Sequence, residues 1–340
     1  MGISYFARAT LGGAMLALMA GMASADTVTL RYSNWLPVTH IVHAGIVQPW
    51  IDNVERVTEG RVKVEITPKV VGSVAGQFDV VADGQADLAL IVPGYTPGRF
   101  PLIEGFEMPF LGDDATVRSP ATWRIYEKHL AQGNGFEGVH VLSLFTGNAA
   151  QVFTTSKDIT TIEDFKGLKL RSPQPATTKA IELLGAVPVV KPVPEIYELA
   201  AGGVIDGGVI PPDTITAFKL QTVLKHMTWM PGGLANTVLL WGVNPDKWES
   251  ISEADREAIA KVSGEAMAAM AGTAHQSAVD AALKQLEADG EVITRPDAAV
   301  VDQVKASLAS VESDWVAAAK SAGLADPQAM LDDLRAEIAK

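Results

Sequence analysis

One order of segments occurs twice in this chain. The first copy reads as a strand over 28–33, an amphipathic helix over about 40–57, a strand over 62–66, a helix over 76–83 and a strand over 87–92. The second reads as a strand over 168–171, a helix over 176–184, a strand over 187–190, a helix over 194–201 and a strand over 204–210. Both copies place a helix-ending glycine before an aspartate and the final strand, as Gly84-Gln85-Ala86-Asp87 and as Gly203-Val204-Ile205-Asp206. Gly-x-x-Asp is common by itself, but five elements repeated in one order favour a twin-lobed α/β architecture. Strands alternating with helices imply parallel sheets with right-handed crossovers.

The remaining sequence completes two lobes. Further strands are expected at 139–144 and 152–155, and 237–243 is expected to connect the lobes. Beyond Ser252 the chain is Ala- and Glu-rich and mostly helical, with a short strand near 291–294. One long helix over about 253–289 is expected to lie along both lobes, and Gly264 and Gly272 mark where it could break. The expected division is lobe I over 26–150 plus about 237–275, and lobe II over 151–236 plus about 276–340.

The start of the chain points to export. After Arg8, the apolar run from Leu11 to Met22 is too short for a bilayer, which needs about 20 such residues. It ends at Ala23-Ser24-Ala25, a small-x-small cleavage signature, so a signal peptide over 1–25, cut after Ala25, is expected. The alternative is an anchor retained as a helix. The chain has no cysteine, which excludes a lipoprotein, a disulfide framework and a thiolate metal site. The mature chain must fold on its core alone, and a 48% apolar composition is ample for two cores. A net charge of -13, spread without a long acidic run, argues against nucleic acid and anionic lipid as partners.

Two facing lobes turn strand ends into a site, because ligands of open α/β sheets bind at the carboxyl ends of the strands. Arg171 closes a short strand and is followed at once by Ser172-Pro173, where a strand must stop. A guanidinium fixed there is suited to hold a carboxylate bidentately. The first lobe offers Asn34 and Trp35 after its first strand and Tyr95 after its third, while the second adds Pro211-Pro212-Asp213. Asn236 begins the crossing strand and is a further candidate. Each has a structural alternative: a surface ion pair for Arg171, core or hinge packing for Trp35, loop shaping for Tyr95 and a helix N-cap for Asp213. Trp229 and Trp241 either line the cleft or pack a core.

Signals for catalysis are weak. Gly72-Ser73-Val74-Ala75-Gly76 has its serine in the wrong place for a nucleophile elbow, and no Gly-x-Gly-x-x-Gly opens a helix, so no cofactor is expected. His40 and His43 have a chelating spacing without a third ligand, which favours two solvated or capping histidines over a metal site. Glu104 and Glu107 could do acid/base work, but between Pro101 and Pro109 they read as the edge of a packed loop.

The stretch Thr161-Ile162-Glu163-Asp164-Phe165-Lys166-Gly167-Leu168-Lys169-Leu170-Arg171, with Leu184-Gly185-Ala186-Val187-Pro188-Val189, Glu195-Ile196-Tyr197 and Val204-Ile205-Asp206-Gly207 after it, resembles the extracytoplasmic solute-binding subunits of TRAP transporters, of the DctP type. Compatible spacing runs from the N-terminus to about Trp248. The resemblance implies a two-lobed periplasmic-binding-protein-like fold, each lobe a mixed sheet flanked by helices, with a long helix spanning both. It implies that Arg171 forms a salt bridge with a ligand carboxylate, and that the periplasmic protein closes on a small organic acid and delivers it to membrane permease subunits driven by an ion gradient. No insertion of the mature chain into the membrane is expected.

The departures narrow the ligand. Members that bind dicarboxylates or sialic acid commonly have a second arginine where this chain has Gln151, and follow Asp-Gly with Gln-Glu-Asn where this chain reads Gly208-Val209-Ile210. One cation and one amide fewer imply a monocarboxylate whose remainder is apolar, hydroxylated or zwitterionic, with Gln151 kept as a pocket candidate. Trp35 and Tyr95 could stack on a ring or face a quaternary cation, a contact worth roughly 0.5–2 kcal/mol. Two other functions share the cleft: an exported hydrolase or lyase with Glu or Asp as base, and a solute sensor for a signalling receptor.

Overall fold

The computed structural model describes residues 27–133 and 135–340, so the expected signal peptide and its cleavage point lie outside the described residues. In the first half the strands are β1 (Val28–Ser33), β2 (Val62–Ile66), β3 (Leu88–Ile91), β4 (His140–Thr146) and β5 (Gln151–Thr154). They are followed by β6 (Lys169–Ser172), β7 (Val187–Val190), β8 (Gly207–Ile210), β9 (His226–Thr228), β10 (Val238–Val243) and β11 (Val292–Thr294). Two sheets result, one in the order β2-β1-β3-β10-β4 and the other β11-β9-β5-β8-β6-β7. Both are mixed: β1 runs parallel to β2 and β3, and β6 parallel to β7 and β8, while β10 and β5 add antiparallel. The apolar runs Leu-Ala-Leu-Ile of β3 and Val-Leu-Leu-Trp-Gly-Val of β10 are buried throughout, as central strands covered on both faces must be.

The repeat in the sequence is a repeat of bonds. Gly84 and Gly203 turn the chain out of their helices with φ of 67° and 68°, a conformation that costs a side chain and suits glycine. Each turn delivers an aspartate to the first strand of its copy. Asp87 accepts the backbone N–H of Arg31 at 2.7 Å and donates its own N–H to Arg31 O, and Asp206 does the same with Lys169, accepting at 2.8 Å. These carboxylates pin the third strand beside the first, so the Gly-x-x-Asp signature carries register. The last strand of the second copy is shorter than expected, starting at Gly207, because Gly203 to Asp206 is spent on this turn.

The chain crosses between the sheets three times. Residues 147–150 lead from β4 into β5, and residues 229–237 lead from β9 into β10. These two crossings are clasped by backbone bonds, with Ala150 bridging Ala235 and the Gly147 N–H donating to Thr237 O at 3.0 Å. The third crossing is helical. Instead of one helix over 253–289 there are two, Glu253–Ala260 and Gly264–Ala288, and the second runs from the first sheet to β11 of the other. The break falls at one of the two glycines expected to permit it: Gly264 has φ 52°, and the preceding Ser263 hydroxyl is taken up by Trp50 Nε1 and Ile259 O. Gly272 stays helical, lying against the backbone of Ala115 and Thr116.

Two apolar centres belong to one half each, and a further core draws on both sheets, joining Leu144 and Leu240 with Val152 and Leu170. Trp50, Trp241 and Tyr32 pack edge to face in the first, and Phe153, Ile196, Ile210 and Met227 centre the second. Late helices join the halves from outside, Ala309–Ser321 packing on Pro175–Leu183 and Pro327–Ile338 packing on Ala115–His129. The segment after residue 276, assigned to lobe II from the sequence, therefore touches both.

Candidate functional site

The carboxyl ends of β1, β3, β6 and β8 converge on one pocket of about 540 Å³, its mouth included. Its walls are apolar: Leu36, Val42, Leu90, Val92, Val193 and Leu239, with the rings of Trp35 and Tyr95. Trp35 is oriented by its indole N–H, which donates to Leu90 O at 2.9 Å, and its ring centre lies 6.5 Å from that of Tyr95. Apolar walls with a few fixed polar groups are what a small amphiphilic ligand requires.

Arg171 supplies one of those groups. It is 2% exposed and lines the pocket, and burial pushes the pKa of its guanidinium below the usual arginine value. Its Nε donates to Lys191 O at 2.8 Å, Nη1 to Val209 O at 3.3 Å and Nη2 to Tyr95 Oη at 3.4 Å. All three acceptors are neutral, and no carboxylate among the described residues lies within salt-bridge distance. The strand geometry keeps its path clear, since Arg171 pairs in register with Gly208, where a Cβ would come within 3.0 Å of Arg171 Cβ. Tyr95 also accepts the Val193 N–H at 3.2 Å, so one phenol from the first half touches two elements of the second.

A second polar cluster lines the same pocket. Asp213 stands in the first turn of the helix Pro212–Ala217 and is buried. It does not cap that helix; its Oδ1 instead accepts Asn148 Nδ2 at 2.8 Å, and Oδ2 lies 3.7 Å from His275 Nδ1, beyond hydrogen-bond reach. Burial opposes its charge, but His275, His40 and the Asn148 amide outweigh that and hold the carboxyl below the usual range. His40 is pushed down to about 4, by burial first, against the pull of Asp213, with His275 and His43 adding to the shift. Its Nδ1 accepts the Val42 N–H at 3.2 Å, so the capping role foreseen for it holds in part. Neither His40 nor His43 is solvated, as both are buried. Among the described residues no three His, Cys, Asp or Glu side chains are placed to hold a metal ion.

Four of the seven residues singled out from the sequence thus meet at the pocket: Arg171, Trp35, Tyr95 and Asp213. Three do not line it. Asn34 folds back on its own turn, its Oδ1 accepting the Leu36 N–H and its Nδ2 donating to Leu36 O. Gln151 is wholly buried in β5, where its Oε1 accepts the Met230 N–H at 2.6 Å. Asn236 donates through Nδ2 to Met108 O and accepts Gln174 Nε2 at its carbonyl, which fastens a crossing segment. Trp241 is core, and Trp229 lines a separate cavity behind Asn148. His40, Asn148, Thr214, Thr237 and His275 line the pocket and were not candidates for it from the sequence.

Residues 32–315 match the model of the DctP family, described as bacterial extracellular solute-binding protein, family 7. A TRAP periplasmic solute-binding protein from Bordetella bronchiseptica, solved with bound (R)- and (S)-mandelate, is 38% identical with a TM-score of 0.89, over 92% of this chain and 99% of that one. A TRAP solute-binding protein from Rhodoferax ferrireducens in complex with copurified benzoate is 30% identical with a TM-score of 0.85, over 92% and 98%. Among curated relatives, the outer membrane transporter protein TsaT of Comamonas testosteroni is 28% identical over 336 residues, 98% of each chain. No helix among the described residues is long and apolar enough to cross a membrane.

Proposed function

Because the chain belongs to the family 7 bacterial extracellular solute-binding proteins, a family of transport components and not of enzymes, we propose that it captures an aromatic monocarboxylate and presents it to the membrane subunits of a TRAP permease. The observation that carries this is Arg171: a buried guanidinium held by neutral oxygens alone, facing a pocket with apolar walls. A carboxylate is the group that completes such a cation, because it accepts paired N–H donors in one plane. The aromatic half of the ligand fits the walls of Trp35, Tyr95 and the aliphatic side chains. Of the lining residues Arg171 alone carries a fixed positive charge, and Asp213 carries a negative one, so a second carboxylate on the ligand would be repelled. The ligands of the Bordetella and Rhodoferax proteins, mandelate and benzoate, belong to the same class.

The mechanism follows from which half supplies which contact. Arg171 belongs to the second half and Trp35 and Tyr95 to the first, so a ligand between them makes its full set of contacts only when the halves are together. Closure is then favoured by the difference in contacts between open and closed states. The two crossings at 147–150 and 229–237 are the segments about which the halves would move. The mature protein, cut after Ala25, works in the periplasm on this reading.

A thermal-shift screen with purified mature protein tests the proposal. A ligand at about a hundred times its Kd adds roughly 2.7 kcal/mol of stability, so benzoate or mandelate should raise Tm by a few degrees while succinate does not. A dicarboxylate that stabilises more than every monocarboxylate tried would sink it.

A further inference from the structure

Arg171 accounts for one end of the pocket and leaves the polar cluster around Asp213 without a task. Both charges are buried, both line one cavity, and they form no ion pair with each other. Their partners are also disjoint: Lys191, Val209 and Tyr95 for the arginine, Asn148 and His275 for the aspartate. Three buried atoms of the cluster have no hydrogen-bond partner, namely Asn148 Oδ1 and both ring nitrogens of His275. Burying such atoms unpaired is costly, so they are atoms a ligand can satisfy.

The chemistry they call for can be read from their types. Asp213 Oδ2 and Asn148 Oδ1 only accept. With Nδ1 of His40 taken by the Val42 N–H, the proton of that neutral ring sits on Nε2, which donates. The ring of His275 adds an N–H. The cluster therefore mixes acceptors with donors. A second carboxylate would set two anions together, an ammonium would leave the imidazole N–H groups unanswered, and a bare ring edge would leave every atom unanswered. A hydroxyl donates and accepts at once.

Resting on the reading of Arg171 as the carboxylate site, we infer that the ligand bears a hydroxyl on its aromatic half, received by Asp213 with His40 and His275. This cluster then sets specificity, while Arg171 sets the requirement for an acid. A site built to bond a hydroxyl rejects the analogue lacking it, because its own polar groups are then left unpaired.

Calorimetric titration of the mature full-length protein against matched pairs is the test: benzoate against 3- and 4-hydroxybenzoate, and phenylacetate against 3- and 4-hydroxyphenylacetate. At least one hydroxylated acid should bind about tenfold or more tighter than its parent, equivalent to ~1.4 kcal/mol. In a His40→Phe protein the ratio of hydroxylated to parent affinity should fall by about tenfold, or ~1.4 kcal/mol, whatever change the parent's own affinity undergoes. Parents that bind as tightly as all their hydroxylated counterparts overturn the inference, and so does a His40→Phe change that weakens both members of a pair equally. If that variant does not fold, the wild-type ranking alone decides. A flat ranking among acids that do bind removes only the hydroxyl site, whereas failure of every acid to bind removes the carboxylate reading as well.

Discussion

Arg171 and Asp213 hold opposite charges in one pocket by different means. The arginine is a single residue at a strand end, and the carbonyls that hold it, Lys191 and Val209, follow or belong to the neighbouring strands of its own sheet. The aspartate is surrounded by residues far apart in sequence: His40 before the first helix, Asn148 in a crossing segment and His275 in the middle of the long helix. The Asn148 amide also donates to His275 O, so crossing and helix are tied at this point. One end is built mainly from one sheet, with Tyr95 reaching it from the other half, and the other is a junction of the parts that connect the two halves. A ligand touching both reports on its own chemistry at one end and on the arrangement of the halves at the other.

The largest expected effect separates the two ends. Arg171→Ala should weaken binding of an aromatic acid by roughly 2–5 kcal/mol, since the carboxylate would be buried without its partner. The ligand-free protein should lose little stability, because an incompletely paired buried charge disappears with the side chain. Calorimetry and a melting curve on the same sample check both halves of this expectation.

Asp213→Asn should act on selectivity. It keeps the bond to Asn148 while removing the negative charge, so a phthalate dianion should gain about tenfold in affinity, or ~1.4 kcal/mol. Competition titrations in which the dianion remains excluded would show that Asp213 does not guard that end.

Tyr95→Phe tests the bridge between the halves. Loss of a hydroxyl bonded to both Arg171 and Val193 should cost about 0.5–1.5 kcal/mol in binding. A faster off-rate in stopped-flow measurements is the expected form of that loss.

The last difference between the two ends is in their response to pH. The ends differ because Arg171 keeps its proton throughout the working range, while His40 does not keep its ordinary pKa. His40 is held neutral, with a folded pKa of about 4 against 6.5. Its contribution to stability is therefore complete above pH 6.5 and is lost as pH falls toward 4, where the unfolded chain takes up the proton first. Asp213 raises the pKa of that ring, while His275 and His43 lower it, each by less than burial does. Chemical denaturation at a series of pH values should show the decline, and His40→Phe should make it shallower.

The same contrast governs what was legible in the sequence. The duplicated strand order could be read because alternation and turn residues are local signals, and the aspartates of both Gly-x-x-Asp turns proved to make equivalent bonds. Arg171, Trp35, Tyr95 and Asp213 were accessible because strand ends follow from the strand pattern. Asn34, Gln151 and Asn236 are also near strand ends, but which way an amide points depends on the backbone groups it meets, and those come from other segments. His275 was hidden for a different reason. It shares the buried face of its helix with Ala268, Ala271, Gly272 and Val279, so the available signal was a lone imidazole on an otherwise small and apolar stripe. That signal says a histidine is buried without saying what it faces.

A structure determined with benzoate or mandelate bound tests the central claim most directly. The carboxylate should lie within about 3 Å of the Arg171 guanidinium, the bond length expected of a charged pair, with the ring between Trp35 and the aliphatic walls. An acid bound with its carboxylate away from Arg171, or outside the pocket that Arg171 and Asp213 share, would contradict the account.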